Sequence, residues 1–270
     1  MNGEGAFTPL SAAAIEAALQ PHARAAIARV RVLDETDSTN TRLLAEPLPP
    51  AGFEVLFAES QTAGRGRRGR TWHSPKGAHL YFSISTAYRG ALNLLPPLAL
   101  AVGVACAEAV ETVTGLPVRL KWPNDLYLEG RKLGGILIET QAMTRAPVHV
   151  VVGVGLNVRM PAETGAGIDQ PWNDLRQAAQ PVDRNVLAAA LLDALSTALL
   201  KFETEGFAAF HAAYARRDLL LDQAVEIHAA NGATRSGRAL GVDSEGALCV
   251  QAAQGAPVEK LRAGEVSVRL

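Results

Sequence analysis

From about Asp218 to its end, the chain reads as a succession of short strands. Runs of strand-forming residues at 225–228, 237–242, 247–251 and 266–270 are separated by the turn signals Asn231-Gly232, Ser244 to Gly246 and Gln254-Gly255. Such runs are too short for helices, and roughly 50 residues in that pattern predict a small β-barrel joined to something larger.

The preceding residues mix helical and strand periods. Residues 11–30 read as an alanine-rich helix with Ile15, Leu19 and Ile27 on one side and Ser11 as its N-cap. Residues 54–58 and 80–85 read as strands, and residues 97–114 as a helix closed by Gly115 and Pro117. Strands follow at 118–121, 125–128, 132–139 and 148–158, with Glu129-Gly130 as a hairpin turn. Asp183 caps a long helix whose apolar stripe is Leu187, Leu191, Leu195, Leu199 and Phe202, and a short helix carries Phe207, Phe210 and Tyr214. The expected fold class is α+β, a central mixed β-sheet with flanking helices plus the C-terminal barrel. The expected division is a helical segment at 1–30, a main domain at 31–218 and the barrel at 219–270.

Composition narrows the function. With 48% apolar residues, 20% charged residues and a formal net charge of −1, the chain can bury a large core and has no overall field to attract nucleic acid. Any anion site must come from a local group of cations. Cys106 and Cys249 have neither disulfide-framework nor metal-ligand spacing and read as buried thiols. The first ten residues lack a basic start followed by an apolar stretch, and the apolar run at 94–107 is broken by Pro96 and Pro97. A cytoplasmic protein without a membrane span is the expectation.

That local group is at 61–70, QTAGRGRRGR, with three glycines and four arginines in ten residues. Guanidinium forks donate paired, charged hydrogen bonds to phosphates or carboxylates, and glycines let the backbone approach; a solvated basic loop would look the same. Gly64, Gly66 and Gly69 fit G-x-G-x-x-G and nearly fit a P-loop, but Pro75 and Gly77 stand where either motif needs a helix. A second cluster runs from Lys121 to Glu139. Pro123-Asn124-Asp125 is a turn, and strand alternation places Lys132, Gly134, Ile136 and Ile138 on one face, with open space beside the lysine. The Asp37-Ser38-Thr39-Asn40 segment is by itself an ordinary helix cap, and Gly153-Val154-Gly155-Leu156-Asn157 signals either a bulge or close approach of a ligand to the backbone.

Taken in order, DSTN at 37–40, Q-x-x-GRGRRGR at 61–70, KWPNDLYL at 121–128, RKLGGIL at 131–137 and G-x-G-L-N at 153–157 resemble the biotin–protein ligases, from residue 34 to the end. The resemblance implies a class II synthetase-like catalytic domain with an SH3-like C-terminal barrel. It implies that biotin and ATP form biotinyl-5′-AMP with Mg²⁺ on the phosphates, and that biotin passes to a lysine of the biotin carboxyl carrier protein of acetyl-CoA carboxylase. Ser38, Thr39, Asn40 and Gln61 would hold the ureido ring, with Gly64, Arg65, Gly66, Arg67, Lys132 and Gly135 along the rest of biotin. Arg65, Arg67, Arg68, Arg70, Trp72, Asn124, Lys132 and Asn157 would hold the nucleotide. Lys132 and Arg67 would be catalytic, and Asp125 would hold the metal. The 64–70 loop would be mobile when empty and close over ligand.

Some relatives also carry an operator-binding winged helix of about 60 residues. Only 36 residues precede Asp37, so no DNA binding is expected; a homodimer stays open. A lipoate or other acyl-adenylate ligase needs the same anion chemistry with a different pocket. An RNA-binding arginine loop leaves KWPND and Lys132 without a purpose.

Overall fold

A computed structural model of the chain describes residues 8–141, 147–168, 170–229, 233–263 and 266–269. In chain order the elements are α1 (Ala12–Ala18), α2 (Pro21–Ala26), β1 (Ile27–Thr36), α3 (Thr39–Leu44), β2 (Phe53–Gln61), β3 (Leu80–Tyr88), α4 (Leu98–Thr114), β4 (Arg119–Lys121), β5 (Asp125–Leu128), β6 (Arg131–Gln141) and β7 (Val148–Leu156). There follow α5 (Ala162–Gly165), α6 (Arg184–Glu205), α7 (His211–Ala215), β8 (Ala224–Ala229), β9 (Thr234–Val242), β10 (Leu248–Gln251), β11 (Val258–Leu261) and β12 (Val266–Arg269).

Strands β1 to β7 form one mixed sheet in the order β1-β2-β3-β7-β6-β5-β4, parallel only between β1 and β2. Helices α4 and α6 pack on each other and close the main core over one face. The expected stripe from Leu187 to Phe202 on α6 is buried there. The opposite face carries the short helix α3, seated on β2, β3 and β7 around Leu43, Leu56 and Val151. Because α3 covers only part of that face, the sheet beyond it is left open for a cavity.

The single helix expected over 11–30 is two helices and the start of a strand. Ser11 does cap α1, but Pro21, which fixes φ and has no N–H to donate, stands at the first position of a new helix. From Ile27 the chain is extended: Val30 and Val32 alternate with Arg29 and Arg31, a two-residue period outweighed in the sequence reading by the nearby alanines.

The C-terminal strands form an antiparallel sheet in the order β11-β10-β9-β8-β12. Strand β11 was not anticipated, its Glu259 and Lys260 giving it a polar look; the expected Asn231-Gly232 turn lies outside the described residues. Cys106 is buried as expected, whereas Cys249 is half-buried. The two sheets are tied together where Trp122, inside the core, donates from Nε1 to the Gly246 carbonyl at 3.2 Å.

A buried histidine makes the fold acid-sensitive. His79 is fully enclosed, and its Nδ1 accepts the Val158 N–H at 2.9 Å, which requires an unprotonated nitrogen there. Burial pushes the imidazole down to about 3. An unfolded histidine titrates near about 6.5, so between these values the unfolded chain binds more protons than the folded one. This contribution is fully present above about pH 6.5 and is lost as pH falls toward 3. Urea midpoints measured from pH 7 to pH 4 are expected to fall, and to fall less steeply in His79→Asn, which keeps an acceptor near the Nδ1 position.

Candidate active site

The cavity on the α3 face has a volume of about 370 Å³. Its floor is set by cross-strand pairing. Gly135 pairs with Gly155 and Leu137 with Gly153, while Ser83 on β3 lies opposite Gly153, so these side chains share one face. The two glycines on β7 are needed because side chains lie flat on them. A Cβ at Gly155 would stand 2.5 Å from the Trp72 indole, and one at Gly153 would run into the Asn40 amide. The close approach expected here of a ligand is instead made by Trp72 and Asn40 of the protein itself.

One end of the cavity is neutral and polar. Ser38 caps α3, which points Thr39 and Asn40 at the sheet. The Ser83 hydroxyl donates to Asn40 Oδ1 at 2.6 Å and lies 2.7 Å from the Thr39 hydroxyl. Gln61 Oε1 accepts the Thr39 N–H at 2.9 Å, and its Nε2 donates to Ser74 Oγ at 3.0 Å. All of these groups are held before any ligand arrives, which lowers the ordering cost of binding.

The other end is cationic. The arginine segment forms a small hairpin, closed by Gly66 N–H donating to the Arg70 carbonyl at 2.7 Å and by a bridge between Arg65 and Thr71. Arg67 reaches across to Asn124 Oδ1 at 3.0 Å, and Asn124 in turn donates to the Ile136 carbonyl at 2.8 Å. Lys132 is 8% exposed, with Nζ 2.9 Å from Asp125 Oδ1 and 5.5 Å from the centre of the Trp72 ring. Burial holds the Arg67 guanidinium below its ordinary pKa, with Asp125 pulling the other way and Arg68 and Arg70 adding to the depression.

Strict alternation along β6 is broken beside the lysine. Leu126 pairs with Gly134 but Tyr127 pairs with Lys132, so Leu133 is the extra residue of a bulge. The bulge turns Lys132 onto the face of Gly135, and Gly134, expected beside it, packs under Leu126 and Leu156 instead.

The structure brings together Ser38, Thr39, Asn40, Gln61, Arg65, Gly66, Arg67, Arg70, Trp72, Asn124, Asp125, Lys132 and Gly135 on this cavity. Three expected residues do not line it. Gly64 is pressed against the Trp72 carbonyl and Ser74, where a Cβ would not fit. Arg68, at φ 57°, is exposed at the tip of the hairpin. Asn157 is buried and donates to the Asn173 carbonyl at 3.1 Å, holding the segment that follows α5. That segment supplies Ile168 and Gln170 to the cavity rim, with no motif in the sequence to announce them. Asp125 faces Lys132 and Arg67, and among the described residues no three acidic, histidine or cysteine side chains gather to hold a metal. A protein-held Mg²⁺ site at Asp125 does not fit that arrangement.

Hydrogen-bonding amides and hydroxyls at one end, with Arg65 paired to Glu139 beside Asn40, and the cations Arg67, Arg70 and Lys132 toward the other suit a ligand that has both a neutral polar part and an anionic part. Residues 32–157 match the Biotin/lipoate A/B protein ligase family, and residues 220–269 match the Biotin protein ligase C terminal domain. The chain is 37% identical to the bifunctional ligase/repressor BirA of Escherichia coli over 89% of its own length and 74% of that protein. It is 35% identical to the biotin–[acetyl-CoA-carboxylase] ligase of Mycobacterium tuberculosis, over 81% of this chain and 82% of that one. Among solved structures, the biotin protein ligase from Aquifex aeolicus in complex with biotin and ATP aligns with a TM-score of 0.76 at 30% identity, covering 89% of this chain and 98% of that chain. The chain belongs to the biotin/lipoate protein ligase family.

Proposed function

We propose that the protein is an ATP-dependent biotin–protein ligase. It joins biotin and ATP to biotinyl-5′-AMP and pyrophosphate, then passes biotin to a lysine of the biotin carboxyl carrier protein of acetyl-CoA carboxylase. The observation that carries this reading is the meeting of Lys132 and Arg67, from separate stretches of the chain, in one cavity with the polar floor of Thr39, Asn40 and Gln61.

In the first step a biotin carboxylate oxygen attacks the α-phosphorus of ATP and pyrophosphate leaves. Two anions repel as they approach, so the barrier falls when fixed cations sit where charge collects on the phosphoryl oxygens. Lys132 and Arg67, which line the cavity together with Arg70, are suited to that role. Mg²⁺, if carried in with ATP, would help neutralise its phosphates. Trp72 covers the nucleotide side and keeps water from the mixed anhydride. In the second step the carrier lysine, as free amine, attacks the biotinyl carbonyl and AMP leaves.

The test is pyrophosphate release from ATP with biotin or lipoate, followed by transfer of label to a carrier domain. Release with biotin and none with lipoate is expected; release with lipoate alone would overturn the reading. Gly155→Ala is expected to weaken ATP binding by about ten- to a hundredfold, because overpacking of about 1–3 kcal/mol would lift Trp72 off its seat. Tryptophan fluorescence and a KM for ATP measure this.

A further inference from the structure

We infer that Glu139, two residues beyond Leu137 on β6 and just outside the cavity lining, is a positioning residue that couples occupancy of the ring pocket to closure of the arginine hairpin. The inference rests on the biotin reading above. One carboxylate oxygen, Oε2, accepts from Asn40 Nδ2 at 2.8 Å and from Arg65 Nη2 at 2.8 Å. The first partner belongs to the ring pocket and the second to the base of the hairpin, and among the described hydrogen bonds no other side chain touches both Asn40 and Arg65.

The Asn40 amide is caged. Its Oδ1 accepts from Ser83, its Nδ2 donates both to Glu139 and to the Leu137 carbonyl at 3.1 Å, and a Cβ at Gly153 would leave it no room. With both N–H bonds committed, Asn40 has only a lone pair left to offer, so it presents an acceptor to a ligand N–H. Losing the Glu139 oxygen frees one of those N–H bonds and lowers the barrier to an amide flip that would swap acceptor for donor, leaving only the Leu137 carbonyl and Ser83 to oppose it.

Arg65 stands where the hairpin begins, and its charged bond to Glu139 anchors that end while Arg67 docks on Asn124 near the tip. A ligand N–H drawing on Asn40 Oδ1 fixes the amide, which fixes the carboxylate, which holds Arg65. The ring of the ligand never touches Arg65 in this scheme. Strand pairing explains the reach: Glu139 lies opposite Val151 on β7, one step beyond Leu137 and on the same face of the sheet as Gly135.

Calorimetry with biotin alone, and hydrogen exchange of residues 64–70 with and without biotin, test the coupling in the full chain. Wild type is expected to bind biotin and to gain protection in the hairpin; failure to bind would sink the biotin reading itself. Glu139→Ala should bind biotin at least tenfold more weakly, with no biotin-induced protection of 64–70. Glu139→Gln keeps an acceptor in the shared position and should stay within tenfold of wild type with the protection retained, whereas Glu139→Met, which fills the same space without that acceptor, should behave like Glu139→Ala. In an Arg65→Ala background, Glu139→Ala should cost less than it does alone. Wild-type affinity and hairpin protection in Glu139→Ala, or costs of the two alanine substitutions that simply add, would refute the inference while leaving the ligase reading intact.

Discussion

Lys132→Ala is expected to slow formation of biotinyl-5′-AMP by about a hundred- to thousandfold, the cost of removing one preorganised charge from a site where negative charge develops. The ammonium is nearly enclosed, so little water is present to substitute for it. The fold should survive. Asp125, left without its partner, is still partly exposed and still faces Arg67. Lys132→Arg should not restore the rate, because a planar fork cannot take the place of a compact ammonium lodged between Asp125 and the Trp72 face. Single-turnover pyrophosphate release, paired with a urea melt, separates the two effects; a rate within threefold of wild type in Lys132→Ala would remove this residue from the chemistry.

Arg184→Ala is expected to destabilise the protein by about 3–5 kcal/mol, since it strips the partner from a buried carboxylate. Arg184 opens α6, and its two terminal nitrogens reach Glu59 Oε2 at 2.7 Å and Oε1 at 3.1 Å, with the two side chains 5% and 6% exposed. The same pair anchors the N-terminal segment, through the Leu10 N–H on Glu59 at 2.6 Å and the Thr8 carbonyl on Arg184 at 2.9 Å. The double variant Glu59→Gln/Arg184→Met should recover most of the loss, because the glutamine still accepts from Leu10 and no charge is left unpaired. Urea midpoints of the two variants measure this. Equal stabilities for Arg184→Ala and wild type would mean that the pair contributes nothing net.

How far the fold could be read beforehand depended on whether local signals agreed. The α6 stripe, the αL cap at Gly115 and the Glu129-Gly130 turn were legible because periodicity and turn chemistry coincided there. Strand β1 was not, because alanine content and a real two-residue period pointed different ways and long-range pairing with β2 decided between them. In the site, the arginine run stood out by residue type, whereas Lys132 and the Asp37–Asn40 segment carried weight only through the family resemblance of the motifs taken together. Glu139 did not: an acid at the end of an apolar strand has no local mark, and its importance appears only when α3 and the hairpin approach it from two sides.

Residue chemistry along the chain was enough to determine that this protein carries a local group of cations and a separate polar turn that caps a helix, since side-chain charge and capping preference are local properties. The tertiary structure alone decided that they face one another across a glycine floor. It also decided that a bulge at Leu133 swings Lys132 toward Gly135 and that Asn157 holds the chain instead of lining the cavity. Those outcomes depend on strand register, and register is settled by packing between residues far apart in sequence, which no short stretch of sequence encodes.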